Sequence, residues 1–349
     1  MKKIIYLISF VFTTCVYGQQ MSLNSQYLFN EMFVNPGATG IKDYIPVQFN
    51  FRKQWTAFPG SPTTQAISAN SAIFNKMGFG GTLFNDVCGP SRRTGVQINT
   101  AYHLQLDQAN NHSLGLGIGV SLTQHMIDVN QLVTYLPDDP AVLRGYNNQM
   151  VPDANFGLFY RYKDKAFVGL SAYNLAEMRR DLYNFENPLI NPLVRTYYLF
   201  GGYNFSLSKN FGLKTSTLFQ GIETGSYQFD LTAIGVYKDF LWLGASYRNQ
   251  DAVAIIFGGK IGVFKIGYSY DYTLSDIGDY SYGSHEVLLE IQLNSSKSNA
   301  KTPWLKIVAN SKIFKAIILK NLIFFINLHY FFPTIHPDIL YLLYTMFLQ

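Results

Sequence analysis

Several groups of residues have the types that do chemistry, and their spacing decides whether they can. Ser284-His285-Glu286 holds the side chains of a hydrolase. Three consecutive residues on an extended strand alternate between faces, so they cannot converge on one reacting atom. Nor does a Ser and His pair stand out on one wall, as an outer-membrane lipase would need. Gly115-Leu-Gly-Ile-Gly119 resembles a nucleotide loop in its glycine spacing, but it sits inside an alternating strand and opens no helix. Its glycines read instead as small residues thinning one wall. Asp128, Asp138 and Asp139 have the carboxylates that calcium takes, and a solvated acidic loop is the simpler reading. His103, His112, His125 and His285 show no metal-ligand spacing. Of the two cysteines, Cys15 lies in the leader and Cys88 beside a Gly-Pro turn, which leaves no disulfide framework and no Cys-based metal site. The chemistry therefore predicts no enzyme, no cofactor and no metal.

The elements that carry these residues are clearest in the hairpin Arg93 to Thr123. Val96, Ile98, Thr100, Tyr102, Leu104 and Leu106 alternate with Gln97, Asn99, Ala101, His103 and Gln105. After the turn at Asp107 to Asn111, Leu114, Leu116, Ile118, Val120 and Leu122 alternate with Ser113, Gly115, Gly117, Gly119, Ser121 and Thr123. Each arm thus has one apolar wall and one small or polar wall. Arms of about a dozen residues exceed the usual globular strand and cross a bilayer when tilted. Composition agrees. Charged residues are 14% and aromatics 16% of the 349 residues, too apolar for a soluble surface and too polar for a helical membrane protein.

The ends differ from the body. Lys2 and Lys3, the apolar run Ile4 to Val16 and Val16-Tyr-Gly18 form a secretory signal over residues 1–18. Phe12-Thr-Thr-Cys15 lacks the aliphatic residue that a lipidation site places three before its cysteine. Residues 19–44 carry Asn35-Pro36-Gly37 and Gly40 without strand pattern, and read as irregular backbone in the periplasmic mouth or as a plug. From residue 294 to 349 the two-residue period stops. Ile313 to Phe332 is nearly long enough for a transmembrane helix, with Lys315 and Lys320 inside it. A helix after a finished barrel is unusual, and the Lys, Ile, Phe and Asn bias also fits read-through of an AT-rich gene. Between the two ends stand nineteen Lys+Arg and twenty-one Asp+Glu, so the basic balance belongs to the ends and gives a nucleic-acid partner no support.

Residues 45–293 divide into about fourteen strands, within a range of about 12 to 16. The expected strands begin with Ile45 to Lys53, Thr63 to Ala72 and Met77 to Asn85. The two hairpin arms follow, then Asp153 to Tyr162, Lys165 to Leu175, Val194 to Leu207 and Phe211 to Gln220. Tyr227 to Tyr237, Trp242 to Tyr247, Val253 to Lys260, Val263 to Tyr272 and Glu286 to Leu293 complete the set. Tight connections at 107–111, 163–164, 208–210, 238–239 and 261–262 alternate with mostly longer ones at 86–91, 124–150, 176–192 and 274–283. Short periplasmic turns and longer external loops are the habit of bacterial barrels. Charged side chains at Arg52, Lys265, Asp271, Glu286 and Glu290 fall on the polar wall, which must face inward. Tyr160, Tyr162, Tyr197, Tyr237 and Tyr272 suit an interfacial girdle. The fold class is an all-β transmembrane antiparallel barrel in an outer membrane.

The same chain carries motifs in a recognisable order. Gln26-Tyr27 with Asn30 is followed by Asn35-Pro36 and Gly40, then Arg52-Lys53-Gln54-Trp55, Phe58 with Gly60, and Pro62-Thr63-Thr64-Gln65. Gly78-Phe-Gly80, Asn85-Asp86, Gly89-Pro90, Thr94-Gly95 and Gly283-Ser284-His285-Glu286 complete it. In these, roughly residues 19 to 293, the chain resembles the PorP/SprF family of type IX secretion outer-membrane proteins. It departs at Gly37, where the family commonly has Ala, and in the tail. The resemblance implies a Bacteroidota outer-membrane barrel of type IX secretion and gliding, acting in export or in cell-surface attachment of a secreted adhesin. It implies other secretion components, a secreted surface protein and outer-membrane lipid as partners, and no catalytic residues. The motifs near the first two external connections either shape the rim or touch a partner. The rival reading is a diffusion pore or a channel for hydrophobic compounds.

Overall fold

The computed structural model describes residues 24–74, 76–128, 131–132, 148–176, 194–223 and 225–294. Its strands are β1 (Tyr44–Lys53), β2 (Thr63–Phe74), β3 (Met77–Cys88), β4 (Ser91–Gln105), β5 (His112–Ile127), β6 (Asn148–Tyr162) and β7 (Ala166–Tyr173). They continue as β8 (Thr196–Ser206), β9 (Phe211–Ile222), β10 (Tyr227–Tyr237), β11 (Leu241–Arg248), β12 (Ala252–Ile261), β13 (Phe264–Thr273) and β14 (Ser284–Asn294). Each pairs antiparallel with its sequence neighbours, and β1 pairs with β14 from Tyr44↔Asn294 to Lys53↔His285, which closes a fourteen-stranded barrel. Closure leaves no edge, the condition for strands in hydrocarbon.

The two-residue period decides which wall each residue joins. Ile98, Ile118, Val120, Leu199, Leu243 and Ile255 are exposed on the outside, whereas Asn99, Ser216, Asp230, Ser269 and Glu286 are buried inside. Among the described strand residues every Asp, Glu, Lys and Arg lies on the inward wall except Lys53 and Arg92, both at the external rim. A basic residue at mid-depth on the lipid side would cost about 2 to 4 kcal/mol, which explains the sorting. Tight turns close one end at 106–111, 163–165, 207–210, 238–240 and 262–263, the periplasmic end by the same rule.

Some boundaries differ from the sequence expectation. The strand expected to stop at Asn85 continues to Cys88, because Asp86, Val87 and Cys88 pair with Arg93, Arg92 and Ser91. The expected connection 86–91 shrinks to Gly89-Pro90, with Gly89 at φ +54°. β2 runs past Ala72 to Phe74 through a bulge, and β6 begins at Asn148 rather than Asp153 by pairing Met126↔Asn148. Residues 1–23, most of the two long external connections and the tail from 295 lie outside the described residues. The expectations placed on those parts lie there too.

Inside the barrel run three single-turn 3-10 helices, Tyr27–Phe29, Glu31–Phe33 and Pro36–Ala38. With the residues that join them they supply four of the fourteen members of two buried apolar clusters. Tyr27, Val34 and Ala38 pack with Phe159, Tyr173, Tyr198, Phe200 and Leu218 of the wall, and Phe29 packs with Ile234, Trp242, Ala254, Ile256 and Leu288.

Candidate functional site

The inner segment is tied to the wall along its whole described length, beginning in the external half. The Ser25 N–H donates to Glu286 Oε2 at 2.8 Å, and its hydroxyl donates to Asp271 at 2.8 Å. The same hydroxyl accepts from Arg52 Nη1 and Arg248 Nη2, each at 3.2 Å. Arg52 also pairs with Asp271 at 2.7 Å and Glu286 at 3.2 Å, while Arg248 pairs with Asp230 at 3.2 Å. All of these groups are buried. Charges taken from water need such mutual partners, and a serine at their centre makes the inner segment part of the network.

From there the segment descends. Tyr27 OH meets Ser216 Oγ at 2.8 Å, and Asn30 Nδ2 donates to Ser68 Oγ at 2.9 Å. At the periplasmic end Phe29 lies 5.2 Å from the Trp242 ring, with Lys265 Nζ 3.8 Å above the Phe29 ring. Lys42 Nζ donates to Phe29 O at 2.8 Å and faces Glu31 at 3.5 Å. Burial works against the Lys42 charge, but Glu31, Tyr44 and Glu290 outweigh it and hold the ammonium above the usual lysine range.

Residues Asn35 to Gly40 occupy a seat made of missing side chains. Asn35 Nδ2 donates to the carbonyls of Leu158 at 2.8 Å and Leu170 at 3.2 Å, and its Oδ1 accepts from Gly37 N at 2.7 Å. A Cβ at Gly115 or Gly117 would collide with the backbone of Gly37 or Pro36; at Gly157 it would strike Asn35, and at Gly78 the Thr39 carbonyl. The stripe Gly115-Leu-Gly-Ile-Gly119 thus thins the wall, as read from the sequence, and part of that room is where the inner segment's backbone rests. Gly37 fits the same logic. Its own Cβ would come within 2.9 Å of Asn35 Oδ1 and of the carbonyls of Gly115 and Gly157. His103 Nε2 closes the seat on Thr39 O at 2.8 Å.

The motifs of the external end shape the rim around β14, β1, β2 and β3. Lys53 Nζ donates to Thr63 Oγ1 at 3.0 Å, and Gln54 N donates to Pro62 O at 2.9 Å. Trp55, at φ +49°, donates its N–H to Ser284 Oγ at 3.1 Å, while Thr56 N donates to Gly283 O at 2.8 Å. Gly89 N reaches Gly60 O at 2.7 Å, which joins the first two external turns. Asp86 accepts from Thr64 Oγ1 at 2.8 Å and pairs with Arg93, and Asn85 accepts from Thr94 Oγ1 at 2.9 Å. Gln65 takes its place in register between Phe51 and Asn85, and Pro90 O accepts from Asp128 N at 2.9 Å. Ser284 and Glu286 point inward while His285 faces out, its Nδ1 2.6 Å from Tyr268 OH. Asn35, Pro36 and Gly40 sit instead in the inner segment, and Arg52 links the two regions.

Sequence reasoning missed Ser25, Asp230 and Arg248. Arg248 carried a usable signal, a charge at the end of a strand on the inward phase. Ser25 carried none, since Glu286, Asp271 and Arg248 stand more than 200 residues away and Arg52 lies across the lumen wall on another element.

No curated protein sequence matches the chain. Among solved structures, a Pseudomonas aeruginosa FadL homologue is 11% identical, with 79% of this chain and 95% of that one covered and a TM-score of 0.45. The P. putida toluene transporter TodX is 11% identical, covering 77% and 95% at a TM-score of 0.45. The Ralstonia pickettii toluene transporter TbuX is 10% identical, covering 80% and 95% at 0.44. The family described as type IX secretion system membrane protein PorP/SprF matches residues 16–291. With that match spanning the inner segment and nearly all of the barrel, this outer-membrane chain belongs to the PorP/SprF family of type IX secretion system membrane proteins.

Proposed function

We propose that this barrel serves type IX secretion as a closed, non-catalytic anchor. It would work in the export or cell-surface attachment of a secreted adhesin, through its external loops and rim. The observation that carries this reading is the inner segment held within the lumen. Most of Asn24 to Gly40 is buried against the inner wall and bonded to it from the external half to the periplasmic half, so the surfaces left for work are the rim and the loops. Gliding would follow where the retained protein is a motility adhesin.

The test is surface retention. Replacing residues 128–147 or 177–193 by short turns should release one surface protein into the medium while the barrel still assembles. Unchanged retention with both replacements would remove the loops from the proposal. Reduced export of many proteins, with none left on the surface, would favour a general secretion role over adhesin attachment.

A further inference from the structure

Two of the tight periplasmic turns repeat one tripeptide in one setting. Tyr162-Lys163-Asp164 leads from β6 to β7, and Tyr237-Lys238-Asp239 leads from β10 to β11. In both the lysine is left-handed, at φ +49° and +50°. In both the chain returns to the tyrosine carbonyl, from Lys165 N at 3.0 Å and from Phe240 N at 2.9 Å. The lysine N–H donates to the asparagine carbonyl that ends the preceding turn, Asn111 at 2.7 Å and Asn210 at 2.8 Å. The residue after each asparagine lays a ring against the tyrosine: His112 is 4.7 Å from Tyr162, and Phe211 is 4.8 Å from Tyr237. The lysine Nζ then stands over the tyrosine ring, 5.7 Å and 5.3 Å from its centroid.

A left-handed position is cheap for Gly, Asn or Asp and strained for lysine. The costlier residue, used twice above the same ring, marks a use for the charge itself. Its place says what the charge meets. Tyr162 and Tyr237 end the lipid-facing rows of their strands, where Leu207, Phe211 and Leu241 are also exposed. The ammonium therefore stands where hydrocarbon gives way to headgroups, carried on an apolar stem and an aromatic face. Asp164 is drawn aside to Arg161 at 3.3 Å, and neither Lys163 nor Lys238 has an ion pair among the described residues.

We propose that these two turns are matching clamps for the phosphate of anionic phospholipids in the periplasmic leaflet, each clamp binding one lipid. A lipid suits the place better than a soluble protein, because the tyrosine face beneath the charge continues the hydrocarbon belt.

The full chain, purified in mild detergent and offered equal phosphatidylglycerol and phosphatidylcholine, is examined by native mass spectrometry. Two phosphatidylglycerol molecules should be retained in preference. Lys163→Asn and Lys238→Asn should each remove one, with about a fivefold loss of preference per site. Asparagine suits the left-handed turn, so these variants keep or raise the unfolding midpoint, which separates lost binding from lost folding. Arginine at both positions should restore retention. The proposal is overturned if the double asparagine variant holds as much phosphatidylglycerol as the parent. It is equally overturned if lipid retention stays constant and an acidic periplasmic protein is lost instead, which would make the turns a protein dock.

Discussion

At the scale of single residues, the lumen is organised by what is absent as much as by what is present. Gly117 has no room for a methyl group, because Pro36 and Gly37 lie against it. Gly117→Ala should therefore strain the seat of the inner segment and cost about 1 to 3 kcal/mol, as overpacking does. Gly235→Ala makes the comparison, since its Cβ would meet only Leu243 O at 3.6 Å. Urea titration of the folded protein should separate the two, and equal midpoints would mean that the seat is not tightly packed. The charged cluster responds in the opposite way, to removal. Arg248→Met would strip a buried partner from Asp230 and Asp271 while leaving both carboxylates inside. A loss of about 3 to 5 kcal/mol is expected. Adding Asp230→Asn to Arg248→Met should recover part of it, and no recovery would show that the carboxylate is not the cause.

At the scale of elements, the strands were legible, while the inner segment was read only as irregular backbone or a plug and its contacts were not. A two-residue period repeats locally, so Val96 to Leu106 or Tyr227 to Tyr237 announce both their length and their faces. Ends were harder, because pairing continues wherever a neighbour offers register. β3 goes on through Asp86 since Arg93 stands opposite, which no local pattern at 86–88 reveals. The segment Ser25 to Gly40 has no period at all, and its partners on β6, β13 and β14 are defined only once the barrel has closed. The motif residues of the rim were visible as types, while their work in tying Trp55 to Ser284 and Gly60 to Gly89 needed the fold. The rim turns supply a test of that work. Gly89, at φ +54° with open space around its Cβ, should lose about 1 to 2 kcal/mol on substitution by Ala, from conformation alone. Gly283, at φ +82° with Asp271 O and Tyr270 in the way, should lose more. Thermal unfolding that ranks Gly283→Ala below Gly89→Ala agrees; the reverse order would mean that the rim yields at the seam.

For the whole molecule the decisive property is that the wall and its filling are separate pieces of one chain. The wall closes through β1 and β14 and needs nothing from the inner segment for its backbone bonds. The filling is fixed by contacts at three depths: the Ser25 cluster, the Tyr27 and Asn30 bonds, and the Asn35 seat. Because the contacts at these depths act together, loss of one leaves the others holding, and spontaneous clearing of the lumen requires breaking buried charged bonds together with the glycine seat. In planar bilayers the intact protein should therefore carry no steady current. A variant lacking residues 24–40, with residues 1–23 kept, should still form the antiparallel wall by circular dichroism but expose Arg52, Asp230, Arg248, Asp271 and Glu286 to water along an open bore. That variant should conduct. A persistent open current in the intact protein would mean that the segment moves aside on its own, and would return the pore reading to the front. A silent variant with intact strand content would mean that other parts of the chain also block the bore.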